Sequence, residues 1–281
     1  MPSKKDRFLS QNHGQISSLA PRFSSYPASI TTHSIDAYLS QFDVEHMPTG
    51  LKLLQNVDFY DPSLMLNRTR DLGNTVFALN NNSFQDVIFC PMSVTSGNSA
   101  DAIKRLLEMS MTGISSPRLD NSNFISNVTK LAEPEFTEDT LHKKIVFIDH
   151  FIGSGDTIIQ VWGGIQQWEN ENHEYFVGVL VGYSDAIQHV ENESAHHLRV
   201  VPVIELPTRA RAFHPQNRVF EKDEKEILKG YCEKLGLSNR DKYGYNNGQS
   251  MVVFSNRISD NVLPILHHTT ENWAPLFPRN F

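Results

Sequence analysis

The chain has 281 residues, of which 39% are hydrophobic and 20% charged, and its formal charge is −7. This size and balance predict a packed core and exclude both disorder and a fibrous repeat. The acidic charge excludes a broad nucleic-acid surface, which needs clustered Lys and Arg, while leaving room for a small anionic ligand held locally.

No run approaches the ~18 apolar residues of a membrane span. The basic N-terminal stretch MPSKKDRFLSQNHGQISSLAPRF is not followed by the apolar region of a secretory signal. Cys90 and Cys232 lie far apart, without a CxxC pattern, which fits a reducing compartment. The expected location is the cytoplasm, with no membrane partner.

After a polar lead, apolar residues fall at helical spacing over 34–42 (Ile35, Tyr38, Leu39, Phe42), 47–58 (Leu51, Leu54) and 62–72. A helical N-terminal segment over 1–85 is therefore expected. From Asp86, VIFCPMSV reads as a short strand, and TSGNSADAIKRLLEM as a Gly-containing loop and a helix. Residues 112–134 are rich in Ser, Asn and Pro and read as a surface loop, with a short strand at most. IVFID (145–149) is a continuous apolar run ending in an acid, as expected of a strand buried on both faces of a parallel sheet.

The turn GSG follows, and then a helix with Ile158, Trp162 and Ile165 on one stripe. YFVGVLVGY (175–183) and LRVVPVIEL (198–206) are further strands, separated by a helical stretch over 184–196. This alternation predicts an α/β core over 86–208, a parallel sheet with right-handed crossovers. The remainder, 209–281, holds an amphipathic helix over 221–235 stopped by Gly236, a Gly/Asn-rich stretch and a final strand MVVFS (251–255).

The candidate chemistry lies in IVFIDHFIGSGDTI, residues 145–158. Asp149 falls at the carboxyl end of a strand, where ligands of open α/β sheets bind. Gly153 and Gly155 permit close approach of the backbone to a ligand. Ser154 and Thr157 offer hydroxyls, and the amides of Gly153 to Thr157, Asp156 included, open the next helix, so a phosphate monoester would meet several donors and the positive end of the helix dipole. Asp149, when ionised, accepts hydrogen bonds, so a phosphate with hydroxyls nearby is expected. A ribose 5-phosphate unit has that form.

Asp149-His150-Phe151-Ile152-Gly153-Ser154-Gly155-Asp156-Thr157 resembles the signature of the type I phosphoribosyltransferase fold family: an apolar strand, two acids, two further residues, then a Thr/Ser/Gly-rich turn. The departure is His150, which stands at the second acid. The resemblance implies a parallel-sheet phosphoribosyltransferase-like core with a helical N-terminal segment and a C-terminal hood. It also implies that Asp149 and His150 occupy the catalytic acid positions at the ribose hydroxyls, and that Gly153, Ser154, Gly155, Asp156 and Thr157 hold the 5-phosphate. Mg2+ would accompany the diphosphate substrate, with no protein metal ligand directly assigned. Ser96, Gly97, Asn98 and Ser99, after VIFCPMSVT, resemble the family's pyrophosphate loop.

IDAYLSQF (35–42), MVVFSNRISDNVLPIL (251–266) and NWAPLFPR (272–279) are similar to segments of phosphoribosyltransferase-like proteins of prokaryotic conflict systems, retrons included. That narrower likeness implies an antiphage effector with a defence-system partner such as a reverse transcriptase complex.

Blander readings stand beside these. The Asp and GSG could serve only as a helix cap and a tight turn. A Walker site is excluded because no Gly-Lys-Ser/Thr follows the glycines. His196-His197 and His267-His268 are adjacent pairs whose side chains diverge, and no HExxH or HxH pattern occurs. His150 could bond a ribose hydroxyl, act as an acid or base near neutral pH, or face solvent as a tolerated replacement. Arg209, Arg211 and Arg218 could meet a diphosphate or lie in a solvated loop. Trp273 and Phe277 could stack on a base or anchor a core. Two functions are carried forward: transfer of a phosphoribosyl group or cleavage of a related N-glycosidic bond, and a non-catalytic nucleotide or ribose-phosphate sensor regulating a partner. A third is a toxin-like effector held inactive by its partners.

Overall fold

The computed structural model describes residues 2–93, 99–111 and 119–279. Contacts gather into two units, one made of residues up to 62 together with those from 209 onward, the other of 63–208.

The first unit begins with α1 (Lys4–Gln11) and α2 (His13–Phe23), helices in the stretch read from sequence as a polar lead. α1 buries none of its residues, so it lacks the apolar stripe that marks a helix in sequence. It starts at a reciprocal capping box, where the Ser3 hydroxyl accepts from the Asp6 amide and the Asp6 carboxylate accepts from the Ser3 amide. α3 (Thr32–Leu39) and α4 (Met47–Gln55) lie within the two segments expected to be helical. The chain then turns into a short strand, β1 (Asp58–Tyr60).

The second unit follows. α5 (Pro62–Leu79) runs about two turns beyond the expected end at 72. β2 (Val87–Pro91), α6 (Ser99–Met111), α7 (Pro134–Thr137), β3 (Lys144–Ile152), α8 (Asp156–Ile165), β4 (Glu174–Tyr183), α9 (Ser184–Glu193) and β5 (Leu198–Leu206) complete it. The strands form one parallel sheet in the order β2-β3-β4-β5. Of residues 112–134, expected as a loop with a short strand at most, the described ones, 119–134, contain one bridge, Phe124 beside Phe89, and two 3-10 turns, Asn121–Asn123 and Val128–Ala132.

Back in the first unit, α10 (Lys222–Glu233), β6 (Val252–Phe254) and α11 (Pro264–His267) close the chain. β6 pairs in parallel with β1, Asp58 opposite Val252 and Tyr60 opposite Phe254. Of the borders expected at 85/86 and 208/209, the first falls inside the second unit, which begins at residue 63, and the second lies where the first unit resumes. Both chain ends share one core, and α5 belongs with the sheet because Leu72 packs on it.

The core of the first unit is aromatic. Phe42 has Tyr231, Trp273 and Tyr38 at ring distances of 4.5, 5.3 and 5.6 Å. Phe277 is fully buried against Phe23 and Tyr26, and the Trp273 indole N–H donates to the Ile265 carbonyl at 2.9 Å. Trp273 and Phe277 are therefore core anchors, the second of the two roles read for them from sequence.

His267 lies in the same interior, its Nε2–H donating to the Val262 carbonyl at 3.2 Å. Burial, with help from the nearby Arg279 charge, pushes its imidazole down from 6.5 to about 3. Between those values the unfolded chain holds a proton that the folded chain does not, so stability falls as the pH drops from 6.5 towards 3. Above 6.5 both states are neutral and the contribution is complete. His267→Gln, which keeps a donor, is expected to flatten the acid limb of a denaturant-midpoint-versus-pH curve; an unchanged limb would contradict this.

In the sheet, successive residues face opposite sides. A Cβ at Gly178 would lie 3.0 Å from Leu72 Cδ1 and 3.3 Å from Val146 Cγ1, so α5 lies on the face of Val146 and Gly178. A Cβ at Gly73 would lie 3.0 Å from Leu107 Cδ1, so α6 lies beside α5. On the other face Trp162 of α8 packs against Tyr175 at 5.2 Å and Phe147 at 6.2 Å. The helices that follow β2 and β3 thus lie on opposite faces of the sheet. Divergence of consecutive loops at the carboxyl ends of parallel strands creates the crevice where open α/β sheets bind ligands.

Candidate functional site

β3 delivers Asp149 and His150 to that carboxyl end. The strand is longer than the sequence suggested, continuing past Asp149 to Ile152, because Asp149, Phe151 and Ile152 stay in register with Val179, Val181 and Gly182 of β4. Alternation puts Asp149 on the α8 face, and its side chain retains 15% exposure. His150 is buried.

The Asp149 Oδ1 atom accepts both the His150 amide and His150 Nδ1, each at 2.7 Å. An ionised carboxylate only accepts, so Nδ1 carries the proton and the ring's tautomer is fixed by its neighbour. Among the described residues Asp149 Oδ2 takes no hydrogen bond. The solvent-facing role weighed for His150 does not match its burial.

The strand gives way to the loop 153–155, with Gly153 and Gly155 buried and Ser154 half-buried. Gly155 is the N-cap of α8 at φ +89°, a left-handed conformation that disfavours any Cβ. A Cβ there would also lie 2.7 Å from Val190 Cγ2 and 3.1 Å from the Ala186 carbonyl oxygen. The residue is glycine for two independent reasons. Having no side chain, it leaves the opening of α8 without a side-chain cap, so the helix presents amides and the positive end of its dipole. Ser154 Oγ accepts from the Asp156 amide at 3.4 Å, while Thr157 is exposed on the first turn.

This geometry allows a phosphate group at the start of α8 with a carboxylate one strand-end away. The chain matches the family model PRTase-CE over residues 35–279. It belongs to the PRTase-CE family. No curated protein sequence matches it.

The PRTase-CE match, phosphoribosyltransferase-like, begins at Ile35 of IDAYLSQF and ends at Arg279 of NWAPLFPR, so the segments read from sequence as family-like bracket it. The mixed α/β architecture with parallel strands agrees with a core of that kind. No described helix is long and apolar enough to cross a membrane.

Other candidates are distributed differently. Ser96, Gly97 and Asn98 lie outside the described residues, and Ser99 is the first residue of α6, directly after that stretch. Arg209 and Arg218 are exposed, whereas Arg211 is buried and donates to the Gly248 carbonyl at 2.5 Å, a structural bond within the first unit. Among the described residues no three His, Cys, Asp or Glu side chains cluster as a metal cage. Cys90 is buried in β2 and Cys232 in α10, and burial pushes both thiols up, away from the reactive thiolate form.

Sequence reasoning did not single out His189 of α9. Its Nε2 stands 3.5 Å from Asp156 Oδ1. No motif marks it, because the contact joins two helices brought together by packing at Gly155.

Proposed function

We propose that the site between β2 and β3 binds phosphoribosyl diphosphate or a related ribose-phosphate ligand, and transfers the phosphoribosyl group or cleaves an N-glycosidic bond. The observation that supports it best is Gly155: a forced left-handed residue with no room for a side chain, which opens α8 without a side-chain cap just after the strand that carries Asp149. Gly153 to Thr157 hold the 5-phosphate, and Asp149 Oδ2 accepts from the ribose hydroxyls. Ser96 to Ser99, which follow β2 in the chain, hold the leaving pyrophosphate.

In the reaction the bond from ribose C1 to the pyrophosphate oxygen breaks, its electron pair leaving with pyrophosphate. In transfer, a nitrogen of the acceptor base supplies the pair that forms the new bond to C1; in the cleavage variant the bond that breaks is C1–N, its pair leaves with the base, and water supplies the pair for the new C1–O bond and gives up its proton to the base. The sugar passes through a cation-like state that the Asp149 carboxylate stabilises, and fixed dipoles and positioning contribute most of the rate.

Mg2+ prefers oxygen ligands, commonly one or two carboxylates plus substrate phosphates. Asp149 Oδ2 fits that role through a metal-bound water, whereas the imidazole of His150 offers no oxygen. When bound, Mg2+ would neutralise charge on the departing pyrophosphate.

A second reading, a ribose-phosphate sensor that regulates a partner without chemistry, is favoured by one observation: His150 stands at the second acid and is held by the first. Either way, we place the protein in the cytoplasm as an antiphage conflict-system effector with a defence-system partner such as a reverse transcriptase complex. The deciding experiment mixes the protein with phosphoribosyl diphosphate, Mg2+ and a panel of bases, and follows pyrophosphate release together with binding heat. Release is the expected result. Heat without release would support the sensor, and the absence of both would overturn the ligand assignment.

A further inference from the structure

The outward face of α10 carries Asp223, Ile227, Gly230 and Lys234 in one line, at spacings of four, three and four residues. With His46 this line borders an open groove of about 380 Å³. The opposite face, with Lys225, Leu228 and Cys232, is buried in the first unit.

Asp223 and Lys234 are exposed, and among the described residues neither forms an ion pair. The Lys234 ammonium lies over the Tyr231 ring, 4.5 Å from its centre. That ring is itself held, its hydroxyl accepting from the Asp43 amide at 2.8 Å and donating to the Asp43 carboxylate at 3.0 Å. Charges of these signs suit the two ends of a helix dipole, which accounts for them but not for the glycine between them. Glycine weakens a helix, and a Cβ at Gly230 would meet nothing within 4 Å among the described residues. Nothing in its own chain therefore requires that side chain to be missing.

The spacing reads the same from either end, while the charge changes sign between the ends. Set antiparallel against a second copy of itself, the line places Asp223 opposite Lys234 at both ends and Ile227 opposite Gly230 twice in the middle. The parallel sense would set like charges together. The missing side chain lets the two helices approach, and Ile227 of each copy fills the space over Gly230 of the other.

We propose that this face of α10 is a two-fold, antiparallel dimer contact between copies of the chain. The proposal does not depend on the ribose-phosphate reading. α10 has 12 residues, about 18 Å of helix, and one such face covers less than a standard interface. The dimer is therefore weak and reversible, with Kd roughly in the tens of micromolar.

Sedimentation velocity of the whole chain from about 1 to 300 µM, at ~0.15 M salt so that the net charge is screened, tests it. The sedimentation coefficient is expected to rise with concentration towards a species of twice the mass. Asp223→Lys or Lys234→Asp alone turns both symmetric pairs from attraction to repulsion, and is expected to weaken the dimer about tenfold. The double variant restores opposite signs with the order exchanged, and is expected to return to within about threefold of the unchanged protein. Gly230→Gln, which its own helix accommodates, is expected to abolish the dimer while leaving the thermal midpoint no lower. A sedimentation coefficient constant over the whole range overturns the proposal. So does a dimer indifferent to Gly230→Gln, which would rest on another face. Single charge reversals that the double variant fails to rescue overturn it too, and would leave this face to a different protein. None of these outcomes bears on ribose 5-phosphate binding.

Discussion

Gly155→Ala is expected to cost roughly 2–5 kcal/mol of stability and to abolish ribose 5-phosphate binding. Two contributions add up to that figure. Holding an alanine at φ +89° costs about 1–2 kcal/mol, and forcing a methyl to within 2.7 Å of Val190 Cγ2 costs about 1–3 kcal/mol more. Against an ordinary domain stability of about 5–15 kcal/mol this is a large fraction. Urea denaturation measures it, and a second substitution separates the contributions. In a Val190→Ala background, which removes the contact but not the backbone cost, the further loss caused by Gly155→Ala should be about half as large. No further loss in that background would show that backbone conformation is not constrained there, and no initial loss would show that the loop moves aside freely.

Asp149→Asn should leave the fold nearly intact and lower pyrophosphate release by about 10²–10³-fold, the usual consequence of removing a group aimed at developing charge. The amide oxygen of Asn can still accept from the His150 amide, so the loss of stability is about 1 kcal/mol, the size of one weakened hydrogen bond. The phosphate loop is untouched, and the binding heat of ribose 5-phosphate should persist. Turnover thus falls much further than affinity. If affinity for ribose 5-phosphate disappears as well, Asp149 organises the loop rather than the sugar. If release is unchanged, the carboxylate has no part in the chemistry.

Much of the sheet was legible because buried parallel strands announce themselves: IVFID, YFVGVLVGY and LRVVPVIEL each lie within an observed strand. The turn at Gly155 was equally readable, since a glycine between a strand and a helix carries a direct conformational meaning. What the sequence concealed depends on contacts distant along the chain. β1 is three residues long and exists through its pairing with β6, so no local pattern could mark it. α1 is polar on every side, and its signal was a capping box rather than a stripe. At the site, the bond from Asp149 to His150 joins neighbours that alternation would send to opposite faces. It arises because the carboxylate turns back over the following amide. The approach of His189 to Asp156 depends on two helices meeting at a missing side chain.

The pairing of Asp58 with Val252 and of Tyr60 with Phe254 has a consequence during synthesis. Chains emerge from the ribosome N-terminus first, and domains generally fold as units as they appear. Residues 63–208 can close their sheet while the C-terminal portion is still being made. The earlier-made helices cannot finish: the apolar faces of Ile16, Leu19, Phe23 and Phe42 must wait for Tyr231, Val253, Trp273 and Phe277. The segment up to residue 62 is thus among the last to settle, and a nascent chain halted near residue 208 would carry a finished parallel sheet after an open, sticky segment that a chaperone would recognise.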